Sequence, residues 1–244
     1  MDFESQVNGL TNLTIGASST DPSRAELTQF LTDGAVEIIN HLPLHLLKLC
    51  TSTTSTTLTG GTSHTLNTGK ILMVQRSDGD IYHPSRQIPA QLSGRAQDPD
   101  DMIFATPTDP AYYILGNTIH SIPEGNPWRY EEVQYPAVAY DGTAIDSFPD
   151  EAEYLVVLYA SVKSLQSKIA SVVADSDVRN NNQPSATTDV YGAQANEDIE
   201  LVSSALAITQ SELAIDTTQY NWYEKQQAKL QSDYEKGLQA LVRA

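Results

Sequence analysis

Cysteine is nearly absent from this 244-residue chain: Cys50 stands alone, so no internal disulfide and no cysteine-built metal site can form. Cations are scarce too, 14 lysines and arginines against 31 acids, for a formal net charge of −17. A surface that grips nucleic acid needs clustered cations that release counterions from phosphate, and this balance argues against that activity. It suits solubility and a surface that repels DNA. No apolar run approaches the roughly 20 residues that span a bilayer. The opening MDFESQVNGL carries acids where a secretory leader needs basic residues, so a cytosolic product without membrane attachment is expected. Asn12-Leu13-Thr14 is then a chance sequon. An apolar content of 40% is enough to fill a core.

Catalytic patterns are missing as well. Gly69-Lys70 ends like a phosphate loop, but His64 stands where the first glycine belongs and Ile71 where Ser or Thr belongs. His41 and His45 have zinc-like spacing, yet Pro43 separates them and no third ligand is near. Asp98, Asp100 and Asp101 open like a calcium loop without its central glycine or terminal glutamate, leaving an exposed acidic turn as the reading. There is no Gly-x-Ser-x-Gly elbow, and Cys50 follows a leucine-rich stretch that suits a small buried residue. Glu131 and Glu132 are adjacent in a strand-like run and point to opposite faces. No enzyme, cofactor or metal site is expected.

What remains is architecture. Asp21-Pro22-Ser23-Arg24-Ala25-Glu26 supplies a helix cap, a proline for the first turn and a Ser23-to-Glu26 capping box, and Leu27, Phe30, Leu31, Ile38, Ile39 and Leu42 share one face before Pro43. Residues 51–68 are nearly all small or β-branched, a loop or edge strand. Lys70–Arg76 and Ile81–Gln87 bracket a Ser77-Asp78-Gly79-Asp80 turn, with Pro84 marking an edge. A short helix within 88–97 and a proline-bearing loop over 98–110 follow. Ala111–Gly125 is a second hairpin turning at Gly116-Asn117, and Trp128–Tyr135 is a strand whose Trp128, Tyr130 and Glu132 alternate with Arg129, Glu131 and Val133.

From Asp150, with acids in its first turn, Leu155, Leu158, Val162, Leu165, Ile169 and Val172 form a 3-4 seam. Asp175–Asn196 reads as a polar linker. Over Glu197–Val242, Ile199, Val202, Leu206, Leu213, Tyr220, Tyr223, Leu230, Tyr234 and Leu241 share a second seam, weak at Thr209, Asp216, Gln227 and Gly237. A further row, Leu201, Ile208, Ile215 and Trp222, widens its apolar face. Unbroken, this helix runs about 65 Å, so a partner or a break near Thr217-Thr218 is expected. The fold class is α+β: a 1–20 N-terminal arm, a helical bundle of 21–50 and 149–244 ending in a long C-terminal helix, and an inserted small antiparallel β-domain over 51–148.

The stretches PAYYILGNTIHSIPEG, YEEVQYPAVAY and SFPDEAEYLVVLYASVKSL, in that order after a capped helix, resemble the head-to-tail adaptor (connector, or neck) virion proteins of tailed bacteriophages. The likeness covers residues 20–175 and rests on structural rather than catalytic motifs. It implies a helix bundle with an inserted β-domain, assembled in the host cytoplasm into a homo-oligomeric ring of about twelve copies at the head–tail junction of the virion. The ring docks on the portal protein on one side and on a tail tube, nozzle or fibre protein on the other. DNA passes through its lumen without specific binding.

Two other readings stand beside it. A tail-fibre or decoration protein would use the C-terminal heptads as a trimeric coiled coil, and a host-surface-binding module would use Trp128, Tyr130, Tyr135, Tyr140, Tyr112 and Tyr113 as a platform rather than as core and cross-strand pairs. Lys70, Arg76, Arg86, Arg95 and Arg129 concentrate cations in the β-region, as partners for acidic neighbours in an assembly. The residues expected at interfaces are Arg86 and Arg95 at an exposed edge and Trp222 and Tyr223 on the last helix.

Overall fold

The computed structural model of the protein describes residues 1–19, 22–57, 63–67, 70–181 and 199–243. It is an α+β chain in two units: Met1–His41, Ala137–Ile145 and Asp150–Ala244 form a helical unit, and Leu42–Pro136 with Asp146–Pro149 form a β-unit inserted into it. The boundaries differ from the expected 51 and 148 for physical reasons. Residues 42–50 go with the strands because the Gln134 amide donates to the Cys50 carbonyl at 2.7 Å. Residues 137–145 go with the helices because the Val138 amide donates to Thr32 Oγ1 at 3.1 Å and the Phe3 and Glu4 amides donate to the Gly142 and Tyr140 carbonyls at 2.9 Å.

In the helical unit the expected N-terminal arm is instead led by helix α1 (Phe3–Thr11), capped by Asp2, whose Oδ1 accepts the Ser5 amide at 2.8 Å. Phe3, Val7 and Thr11, four apart, are its buried face. The capping box of helix α2 (Arg24–His41) is present: the Ser23 amide donates to Glu26 Oε2 at 2.8 Å and the Glu26 amide to Ser23 Oγ at 3.3 Å. Pro22 therefore precedes the cap rather than sitting in the first turn, and Asp21 lies outside the described residues. Arg24 clasps Glu4 of α1 through two bonds, Nε to Oε2 at 2.6 Å and Nη2 to Oε1 at 2.9 Å.

Helix α5 (Asp150–Asn181) is the centre of this unit; α3 and α4 are short helices of the β-unit, Leu44–Leu47 and Ser93–Gln97. Leu155, Leu158, Val162 and Leu165 are buried, as are Val156, Val157 and Ala160, so α5 is enclosed on more than one side. Past Leu165 no residue through Ala174 is fully buried; Ile169 and Val172 are half-buried. The helix runs to Asn181, beyond the 174 expected, and the rest of the expected linker lies outside the described residues.

Helix α6 (Ile199–Arg243) is continuous over 45 residues. The expected break at Thr217-Thr218 is absent; Thr218 Oγ1 donates to the Ala214 carbonyl one turn back at 2.8 Å, satisfying its hydroxyl within the helix. Leu230, Tyr234 and Leu241 are buried. The packing expected of Ile199, Val202, Leu206 and Leu213, and of Leu201, Ile208 and Ile215, lies outside the described side chains.

Gly237, expected as a weak seam position, faces α5 closely: a Cβ there would run into Leu155 Cδ2. Gly34 does the same for α2, where a Cβ would stand 2.9 Å from Tyr159 Cδ1. A polar joint accompanies these contacts. Tyr234 Oη donates to Glu37 Oε1 at 2.9 Å, and the Tyr159 and Tyr234 rings meet edge to face at 5.9 Å. Burial first, then the Glu37 carboxylate, raise both phenols above the ordinary tyrosine value.

Among its described residues the β-unit holds eight strands in two four-stranded sheets: β1 (Thr51–Thr57), β2 (His64–Thr65), β3 (Ile71–Ser77), β4 (Tyr82–Pro84), β5 (Arg86–Gln87), β6 (Ala111–Leu115), β7 (Thr118–Ile122) and β8 (Pro127–Val133). Their orders are β1-β8-β3-β4 and β2-β7-β6-β5, antiparallel except for β5 beside β6. Pro84 does lie on an edge strand. Leu66, Val74, Ile119, Trp128 and Tyr130 form the core between the sheets, with Ile71, Tyr112 and Ile114 against it. A second core, Ile88, Ala96, Ala105, Ala111 and Ile122, joins the second sheet to α4 and the loop after it.

The β3–β4 turn carries a pH-dependent contribution. Asp78 Oδ1 accepts the Asp80 and Ile81 amides at 2.9 and 3.0 Å, and Oδ2 lies 2.8 Å from His83 Nε2. These bonds, the Ile81 amide first, hold its carboxyl well below the usual range. A lowered folded-state pKa contributes stability that is complete above the unfolded value and is lost as pH falls through the folded one. Asp78→Asn is therefore expected to lower the β-unit's melting temperature at neutral pH, with the gap to wild type closing in strong acid, as read by thermal melts over a pH series.

Candidate interaction surfaces

The hairpin of β6 and β7 turns at Gly116, at φ 62°, followed by Asn117, as a two-residue II′ loop requires. Its tip is used internally. Asn117 Nδ2 donates to the Leu66 carbonyl and the Leu66 amide donates to the Asn117 carbonyl, fixing Leu66 in the core. Tyr113 and His120, paired across the hairpin, stack at 4.7 Å. Trp128 and Tyr130 are buried, and Tyr112 and Tyr113 are half-buried against the two cores. The aromatics of the β-unit fill its interior and do not lie together as an exposed platform among the described residues; Tyr135 is on the surface.

The four arginines of the β-unit each make hydrogen bonds within it. Arg76 is 3% exposed and donates to three carbonyls: Nε to Pro123 at 3.0 Å, Nη1 to Ser77 at 3.2 Å and Nη2 to Glu124 at 3.2 Å. Burial lowers its pKa. Arg129 donates to Gln75 Oε1 at 2.5 Å and stacks over Tyr82 at 4.1 Å.

Arg86 on β5 donates from Nη2 to the Ile103 carbonyl at 2.6 Å and from Nε to Asp109 Oδ2 at 3.3 Å. Arg95 on α4 donates to Asp101 from Nε at 2.7 Å and from Nη2 at 3.2 Å, which lowers the Asp101 pKa and raises that of Arg95. The two expected interface arginines thus grip one loop, 98–110. Arg95 keeps 59% of its side chain exposed and Arg86 33%, so Arg95 is the one that presents a cation outward. Asp101, one of the calcium-like acids, is occupied by Arg95 and by the Ile103 amide. Among the described residues no His, Cys, Asp and Glu cluster has metal-site geometry.

Cys50 is fully buried, its Sγ 4.0 Å from the Leu46 carbonyl, and burial pushes its thiol up to about 11, away from thiolate chemistry. Of the two residues expected at an interface on α6, Trp222 is 42% exposed and its ring meets that of its neighbour Tyr223 edge to face at 5.2 Å. Tyr223, half-buried, lines a polar cavity of about 350 Å³ with Asn12, Leu13, Thr14, Ser19 and Lys168. Sequence reasoning missed that cavity, because it requires α1's loop, α5 and α6 to meet. No helix among the described residues is long and apolar enough to cross a membrane.

Compared with known proteins, the chain matches no family model and no curated protein sequence.

Proposed function

We propose that this protein is a non-enzymatic structural component of a tailed-phage virion, a ring-forming adaptor between portal and tail. The observation that carries the reading is the order of elements: a capped helix, a β-unit bearing the AYYILGNTIHSIPEG hairpin, then the SFPDEAEYLVVLYASVKSL entry into a long helix that packs back on the first. The residues that resemble the adaptor family therefore sit on both units. Two features add support. The charge of −17 favours a lumen from which DNA departs without breaking cationic contacts. The heptad residues Leu230, Tyr234 and Leu241 are buried within their own chain, which leaves them unavailable as the seam of a trimeric fibre coil.

Trp222, exposed, and the half-buried Tyr223 beside it are the contact we assign to the portal side, since large aromatics on a helix surface are frequent anchors. The Trp222→Ala, Tyr223→Ala double variant is expected to keep its circular dichroism and lose at least tenfold in affinity for the cognate portal, measured by biolayer interferometry. Unchanged affinity and assembly would remove that assignment.

A further inference from the structure

We propose that the outer edge of β1 is a strand-addition site that pairs two copies of this chain about a two-fold axis. The two sheets end in four edges. β2 and β5 are two residues long, and β4 is three residues long and ends in Pro84. β1 has seven residues in unbroken register with β8, contains no proline and no charge, and pairs with no second strand among the described residues. Long edges without proline, charge or bulge are the ones open to pairing with another chain.

The register shows which groups are open. The Gln134 amide donates to the Cys50 carbonyl, and Thr51 stands opposite Val133. In an antiparallel ladder, bonded and non-bonded pairs alternate, so Ser52, Thr54 and Thr56 turn their main-chain groups to β8 while Thr51, Thr53, Ser55 and Thr57 turn theirs away. The same reasoning on β4, from the Ser85 amide on the Val74 carbonyl, turns Tyr82 and Pro84 outward. There the missing proline N–H falls on the open side and guards the edge. No such guard stands on β1 among the described residues.

The occupant follows from charge and sequence. β1 reads TSTTSTT in a chain of net charge −17, so a second copy meets it here with no like charge opposite. Centred on Thr54, antiparallel self-pairing sets Thr51 against Thr57 and Thr53 against Ser55, with every outward amide and carbonyl matched, about eight hydrogen bonds in all. A two-fold contact closes at two copies and describes the free protein; it does not depend on the adaptor reading.

Sedimentation velocity on the full chain tests this. Wild type is expected at about twice 26.6 kDa at micromolar concentration. Ser55→Pro removes an outward N–H but no bond to β8, and Thr53→Lys places a charge on the seam; both are expected as monomers with unchanged circular dichroism. Thr54→Cys, at the two-fold centre, is expected to form an interchain disulfide under mild oxidation, since Cys50 is buried. A monomeric wild type, a dimer whose dissociation constant shifts less than threefold in both edge variants, or failure of Thr54→Cys to cross-link would each overturn the proposal.

Discussion

Replacing Trp128 by alanine is expected to remove about 3–5 kcal/mol from the stability of the β-unit. Trp128 is 1% exposed and is the largest fully buried side chain described, packed with Leu66, Val74, Ile119 and Tyr130 between the sheets. Deleting it loses the transfer free energy of the indole and leaves a cavity that strands on both sides are too constrained to close. The indole Nε1 is buried with no hydrogen-bond partner among the described residues. Trp128→Phe therefore forfeits no polar contact and should cost much less, about 1–2 kcal/mol. Urea unfolding followed by near-ultraviolet circular dichroism measures both. In a Trp222→Phe background, Trp128 fluorescence reports the parent transition of the β-unit alone, because these are the only two tryptophans. Equal losses for alanine and phenylalanine would mean that the indole is held by a polar contact rather than by packing.

Gly34→Leu is the second large effect, a loss of about 1–3 kcal/mol from the helical unit through overpacking. The obstruction lies near the α5 backbone: Tyr159 Cδ1, Cγ and Cβ stand 2.9, 3.2 and 3.3 Å from the new Cβ. The ring itself is flanked by Tyr234 at 5.9 Å and by Lys163 Nζ at 5.5 Å, which restricts its escape. Gly237 offers the contrast. Its obstruction is Leu155 Cδ2, the end of a flexible side chain, and a mid-helix glycine-to-alanine change gains up to about 1 kcal/mol of propensity. Gly237→Ala is expected near neutral where Gly34→Leu is not, with helical circular dichroism in urea as the readout.

Local signals were legible in the sequence. The Ser23-to-Glu26 box, the Asp78-Gly79 and Gly116-Asn117 turns, the alternation that buries Trp128, Tyr130 and Glu132, and the first half of the α5 seam each depend on neighbours a few residues away. Helix α1 was readable from Asp2 before Phe3 and the four-residue spacing to Val7 and Thr11, but polar neighbours masked so short a stripe. Long-range pairing was not legible. Nothing near β5 announces that it lies parallel to β6, and the two-sheet arrangement depends on Leu66 meeting Trp128 across the unit. The role of Gly237 needed the position of Leu155. Arg86 and Arg95 were found as cations, while Asp109, 23 residues from the first, and Asp101, six from the second, emerged as their partners only in three dimensions.

The adaptor reading is tested most directly by the mass and shape of the protein mixed with its cognate portal, by native mass spectrometry with negative-stain images. A ring in fixed stoichiometry on the portal is the predicted result. An elongated trimer with no affinity for the portal would contradict it and return the C-terminal helix to a fibre.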